Sequence, residues 1–396
     1  MNIGIVSEYN PFHNGHKYHI DESRKTLSAE AVVAVMSGSF VQRGEPAVFD
    51  KWTRAKAALL NGVDLVIELP AVYSCASAEY FASTAVGIME RSGIVDCISF
   101  GSESGDLDGL AETARIMNDE TDEFKAALRK RLDAGDSYPL ARAKAFDVCL
   151  TGPNDILAVE YLRVLNREKH ENYEKHEKSR IKPFTVKRWG SGYHDTEMNS
   201  GFPSATAVRK ALAEGLDIDK AVPENVLELY RTSPRNCFDN YVGMLKYIVA
   251  AEPGRLAEIF DVSEGLENRI ADCVNKYQTI SEIVAVIKSK RYTYTKIQRI
   301  LTQILLNITI ADMEMFRNDG GAKYIRVLGF RKEKEGLVSE LTRKSAVPVI
   351  MNLKKDERNL NGTAKRMLAK DTLAADIFNI GIGRYRSEYE SELIIL

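Results

Sequence analysis

His13, Gly15 and His16, in the run Asn10-Pro11-Phe12-His13-Asn14-Gly15-His16, form the most telling chemical pattern in the chain. Two imidazoles set three residues apart can donate hydrogen bonds to phosphate oxygens as charge moves towards a leaving pyrophosphate. Gly15 has no Cβ, so a flat base can approach the backbone there. This is a way to hold ATP without a Walker loop, and it points to attack on the α-phosphate. His19 completes a trio within seven residues, out of six histidines in all. A zinc site is the competing reading, but no cysteine lies near and a strand exit does not readily aim three side chains at one point. A second anion site is offered by Pro203-Ser204-Ala205-Thr206-Ala207-Val208-Arg209. Ser204 can cap a helix there, with Thr206 and Arg209 in its first turns.

The strands and helices around these groups are legible as alternating patterns. Apolar runs predict strands over 3–7, 31–36, 64–69 and 94–100, with another at 182–188. Helices are predicted over 16–26, 50–61, 76–91 and 154–166, and a charged helical insertion over about 106–150. Alternation of this kind predicts an α/β fold with a Rossmann-like parallel sheet. The histidine motif then lies at the carboxyl end of the first strand, where ligands of open sheets bind. After Gly215 the pattern turns mostly helical. The reading is therefore a first domain over 1–215 and a helical domain over 216–396. Gly381-x-Gly383 is too short to be a nucleotide loop.

Composition narrows the class. The chain has 396 residues, 44% hydrophobic and 28% charged, with net charge −2. Such a length exceeds one usual core. The five cysteines are scattered, with no Cys-x-x-Cys pair, which supports neither a disulfide framework nor a zinc ribbon. No signal peptide or spanning apolar run is visible, and a cytoplasmic location is expected. Charge is uneven. Lys288, Lys290, Arg291, Lys296 and Arg299 give five basic and no acidic residues over 288–299, and Tyr292 lies among them. Residues 321–370 carry thirteen Lys/Arg and five Asp/Glu. Arginine and lysine there can contact phosphates while Tyr292 or Tyr294 stacks on a base.

Downstream blocks sharpen the reading. They are Met36-Ser37-Gly38-Ser39-Phe40-Val41-Gln42-Arg43-Gly44-Glu45-Pro46, Asp50-Lys51-Trp52-Thr53-Arg54-Ala55-Lys56, Asp64 to Pro70 and Ser99-Phe100-Gly101-Ser102-Glu103. With the histidine motif, they resemble the nucleotidyltransferase superfamily that shares its fold with class I aminoacyl-tRNA synthetases. Within it, the chain resembles the tRNA(Met) cytidine acetate ligase family nearly from end to end. The resemblance implies activation of acetate with ATP as acetyl-adenylate, then acetylation of the wobble cytidine of elongator tRNA(Met). It implies Mg²⁺ carried with ATP. It also implies that ATP is contacted by the stretch Val6, Ser7, Glu8, Tyr9, Asn10, Pro11, Phe12, His13, Asn14, Gly15, His16, Lys17, Tyr18 and His19, by Gly101, Asn154 and Arg188, and by the Ser204, Thr206 and Arg209 motif. Acetate needs one cation or an N–H pair, for which Gln42, Arg43, Lys51 and Arg54 are candidates because they follow the second strand. The sequence does not choose among them. Two rivals stand beside this reading. One is an adenylyltransferase acting on a small phosphorylated metabolite; the other is a non-catalytic RNA-binding protein.

Overall fold

The computed structural model describes residues 1–118, 121–136, 138–145, 152–166, 179–188, 203–263 and 265–396. Among them, eight strands form one sheet: β1 (Asn2–Ser7), β2 (Ala31–Ser37), β3 (Leu65–Leu69), β4 (Cys97–Ser102), β5 (Lys182–Lys187), β6 (Ile325–Phe330), β7 (Val349–Ile350) and β8 (Ile394–Ile395). The order is β5-β4-β1-β2-β3-β6-β7, with β8 paired to β6. β1 to β5 run parallel. Every residue of β2 is buried, as expected for a central strand covered on both faces. The chain winds from β1 through β2 to β3, then returns to place β4 on the other side of β1. Strand order therefore reverses at β1, which makes its carboxyl end the switch-point crevice. Helix α1 (Asn14–Leu27) leaves that end, and α2 (Lys51–Leu60) leaves the loop that follows β2.

The second half is mostly helical, as expected, but it also adds strands to the sheet. β6 joins the sheet antiparallel to β3, and β7 and β8 extend it. Ile325-Arg326-Val327-Leu328-Gly329-Phe330 is a six-residue apolar run interrupted by an arginine, too short for its period to declare a strand. Position 215 is also no boundary of the packing. One core joins Phe40, Val41 and Tyr73 to Ile297, Ile300 and Phe378. A second joins Val33 and Ile67 to Val327 and Leu341, and a third joins Ile5 and Val32 to Val208, Tyr230 and Leu328.

Candidate active site

His13 is the N-cap of α1, and its Nδ1 accepts the Gly15 backbone N–H at 3.0 Å. His16 reaches back so that its own Nδ1 accepts the His13 backbone N–H at 3.2 Å. This is a capping box built from two imidazoles, where Ser and Glu usually serve. Its chemical consequence follows from counting protons. A ring nitrogen that accepts a hydrogen bond carries no hydrogen, so this pattern assigns both neutral rings the Nε2–H tautomer. Each ring thus keeps one donor free of the capping bonds. The ring centroids lie 3.8 Å apart. Buried Tyr9, at φ +44°, packs on Phe12 at 4.9 Å and on His16 at 5.0 Å, which locks the motif from below.

The rings are held neutral. Burial, helped by the Arg188 and Arg209 charges, lowers the His13 pKa to about 3. Burial also pushes His16 well below its usual value, and the His13 and Arg188 charges add to this. His19 falls to about 4 for the same first reason, and its Nε2 lies 2.9 Å from Ser99 Oγ on β4. An unfolded chain would protonate all three near pH 6.5 while the folded one does not. Stability should then fall as pH drops from about 6.5 towards 4, because the unfolded state binds more protons there. Urea unfolding at pH 7.0, 5.5 and 4.5 checks this. The decline should be shallower in His19→Gln, and equal slopes for the two proteins would remove His19 from the effect.

The Ala205–Glu214 helix brings the second anion motif to the same end of the sheet. Ser204 caps it, accepting from Ala207 N at 3.1 Å. Arg209 spans the gap between motifs: Nη1 donates to Asn10 O at 2.8 Å, and Nη2 lies 3.4 Å from Thr206 Oγ1 and 3.5 Å from Glu45 Oε1. Glu8, at the tip of β1, accepts the Gln42 backbone N–H at 2.9 Å. Burial raises its pKa, opposed chiefly by the nearby Arg43 charge. The structure thus gathers His13, His16, Glu8, Arg43, Thr206 and Arg209 around the switch point. Asn14 is tied to the backbone of Lys220 and Ala221, and Lys17 pairs with Asp21 at 2.7 Å.

On the β4 side, Arg188 lies over Gly101; a Cβ at Gly101 would come within 3.3 Å of its Cγ. Asn154 opens the Pro153–Leu165 helix. Glu103 was not anticipated here. Its carboxylate accepts from Asn154 Nδ2 at 2.6 Å and from Asp155 N at 2.8 Å. That helix start is already capped by an internal anion. The acidic residue in Ser102-Glu103, just past a strand tip, was the available sequence signal.

Two of the four acetate candidates are corrected by the structure. Lys51 is 1% exposed, with Nζ 2.7 Å from Glu68 Oε1 and 2.9 Å from Glu388 Oε1. Arg54 is fully buried and donates to the backbone carbonyls of Phe49, Glu8, Ser37 and Gly38. Neither has a donor open to a small acid. Arg54 instead ties the tips of β1 and β2 to the start of α2. Gln42 and Arg43, both half-buried, remain beside Glu8.

The basic segment adjoins this site. Lys288, Lys290 and Arg291 are exposed. Lys296 sits 5.4 Å from the Tyr292 ring centroid, and Tyr292 precedes the Tyr294–Leu305 helix. Arg299 is half-buried against the loop after β2. Gly44 there has φ +75°, and a Cβ would fall 2.2 Å from the Arg299 backbone nitrogen, so only glycine fits. The expected basic surface over 321–370 is partly consumed inside. Arg326 binds Glu68 and Glu388, and Lys370 lies 3.0 Å from Asp312.

A mostly parallel sheet with paired imidazoles at its switch point and a serine-capped helix start opposite is the architecture of a HIGH-type nucleotidyl transferase. The chain matches the HIGH Nucleotidyl Transferase family over residues 1–392. It belongs to the tRNA(Met) cytidine acetate ligase family. The protein of that name from Thermoanaerobacter sp. (strain X514) is 40% identical over 394 residues, covering 96% of this chain and 94% of its own. The one from Clostridium novyi (strain NT) is 39% identical over the full length of both. The apo crystal structure of Thermotoga maritima TmcAL superposes with a TM-score of 0.90 at 30% identity, covering 100% of this chain and 99% of its own. The same protein bound with alpha-thio ATP gives 0.88, with the same identity and coverage. Among the described residues, no helix is long and apolar enough to cross a membrane.

Proposed function

We propose that this chain activates acetate with ATP and transfers the acetyl group to the wobble cytidine of elongator tRNA(Met). The observation that carries the reading is the pair of imidazoles whose capping bonds leave both Nε2–H groups as donors at the switch point. ATP would lie between them and the Ser204–Arg209 helix start, with Gly101, Asn154 and Arg188 on the nucleoside side. Acetate oxygen attacks the α-phosphorus, the bond to the bridging oxygen breaks, and pyrophosphate leaves. The cytidine amine then attacks the acetyl carbonyl; AMP leaves and the amine loses a proton. The two imidazoles and Arg209 stabilise charge on the phosphates without proton transfer of their own, as their neutral state at pH 7 allows. Of the acetate candidates, Gln42 and Arg43 are the ones with donors near this point. Mg²⁺ fits best as a companion of the triphosphate. Among the described residues no group of three His, Cys, Asp or Glu is placed to hold a metal ion.

The test combines the chain with ATP, labelled acetate and total tRNA. Label should appear as N4-acetylcytidine in one methionine tRNA, and only with ATP. Acetyl-coenzyme A should not substitute. Label in a small phosphorylated metabolite would favour an adenylyltransferase instead. Propionate should be disfavoured by ~10–200-fold, the range one methylene gives.

RNA docking is proposed for the exposed part of the basic segment. Changing Lys288, Lys290 and Arg291 together to Ala should weaken tRNA binding. It should also flatten the log–log salt dependence by about 0.7–0.9 per lost phosphate contact. Acetate-dependent ATP–pyrophosphate exchange without tRNA should persist. An unchanged salt slope would place the RNA elsewhere. Arg299 is left out of this set because it is tucked against Gly44.

A further inference from the structure

Tyr385 is 89% exposed, more than any other large hydrophobic or aromatic side chain among the described residues. Its loop, Gly383-Arg384-Tyr385-Arg386, follows the long Gly362–Gly381 helix. The loop backbone is well anchored. Gly383 N donates to Ile380 O at 3.0 Å and Arg384 N to Asn379 O at 2.8 Å. Asn379 Nδ2 closes the turn onto Arg386 O at 2.8 Å, and Asn240 Nδ2 holds Gly381 O at 2.9 Å. The Arg386 guanidinium returns to the Glu390 carbonyl. A phenol ring is therefore held out from an anchored backbone, while its sequence neighbours Arg384 and Arg386 turn to Asp50 and Glu390.

The loop also sits on the rim that carries the active site. Arg384 Nη1 lies 3.4 Å from Asp50 Oδ2, and Asp50 caps α2. α2 begins where the loop from the carboxyl end of β2 finishes, and that loop supplies Gln42, Arg43 and Glu45. A few residues on, Glu388 binds Lys51, the first residue of α2. A parallel strand's carboxyl end, its loop and the next helix's N-terminus share one edge of a sheet. Tyr385 is thus on the edge where an RNA acceptor must present its amine.

We propose that Tyr385 is a stacking platform for an unpaired base of the RNA substrate. This rests on the tRNA reading above. A loop nucleotide is the occupant that fits. Unstacked bases are recognised by stacking on exposed aromatic side chains, and every base offers a π-face. Stacking holds the loop without reading its sequence, so it would position the strand rather than select the cytidine.

The experiment measures tRNA dissociation constants across a salt series, together with acetyl transfer, for the full chain, Tyr385→Ala and Tyr385→Trp. Tyr385→Ala should raise the dissociation constant roughly 5- to 150-fold, the range for loss of one stacked base. Its salt slope should match that of the unaltered chain, because no phosphate contact is lost. Tyr385→Trp should bind as well as the parent or better. ATP–pyrophosphate exchange with acetate alone should be unchanged in both. Wild-type affinity and transfer in Tyr385→Ala would overturn the proposal, as would equal weakening in Tyr385→Trp. A parent chain that fails to bind any tRNA would overturn the functional reading as well, so the two failures are distinguishable.

Discussion

Replacing His16 with alanine is expected to slow acetate-dependent ATP–pyrophosphate exchange by about 100- to 1,000-fold, or about 2.7–4 kcal/mol of transition-state stabilisation. The magnitude is that of one preorganised donor removed from a developing oxyanion. The structure gives the reason it is preorganised: Nδ1 is fixed by the His13 backbone N–H, so Nε2–H is fixed by elimination. Alanine also removes half of the capping box, which costs about 0.5–2 kcal/mol of stability. Thermal unfolding must therefore be measured beside the rate. His16→Gln separates the two effects, since its amide can accept from the cap and still donate. It should recover the stability of the cap and only part of the rate. Exchange at the parental rate in a folded His16→Ala protein would remove His16 from the chemistry.

Lys51→Met should destabilise the fold by about 3–5 kcal/mol, the usual effect of removing one partner from a buried pair. Lys51 and Arg326 are both buried, and they face the buried carboxylates of Glu68 and Glu388. Without Lys51, two carboxylates share one guanidinium. Asp371 stands close enough to Glu68 to be affected by it; burial, reinforced by that charge, already raises the Asp371 pKa to about 7. Urea unfolding at constant pH measures the loss. The double variant Lys51→Met, Glu68→Gln should recover part of it, because the uncompensated charge goes as well. Unimpaired stability together with a raised KM for acetate would return Lys51 to the substrate site.

The features legible in the chain's own order are those that depend on local spacing. The strand–motif–helix order around His13 and His16 is written in a short apolar run, a proline and a histidine pair. The cap at Ser204 is likewise local, as are the parallel strands separated by helices. The partners of the charged residues emerged only from long-range packing. Lys51 and Arg54 read as open cations after a strand, yet one is spent on carboxylates 17 and 337 residues away and the other on backbone carbonyls. Arg326 interrupts an apolar run because Glu68 stands opposite it in the β3–β6 ladder. Glu103 fills a helix start that begins some fifty residues later. Burial of an ion depends on a partner brought from elsewhere in the chain, and no local period encodes that partner. The histidine tautomers fall between the two cases. Their spacing is in the sequence, but which nitrogen keeps its proton is settled only once the helix start folds and its N–H groups choose Nδ1.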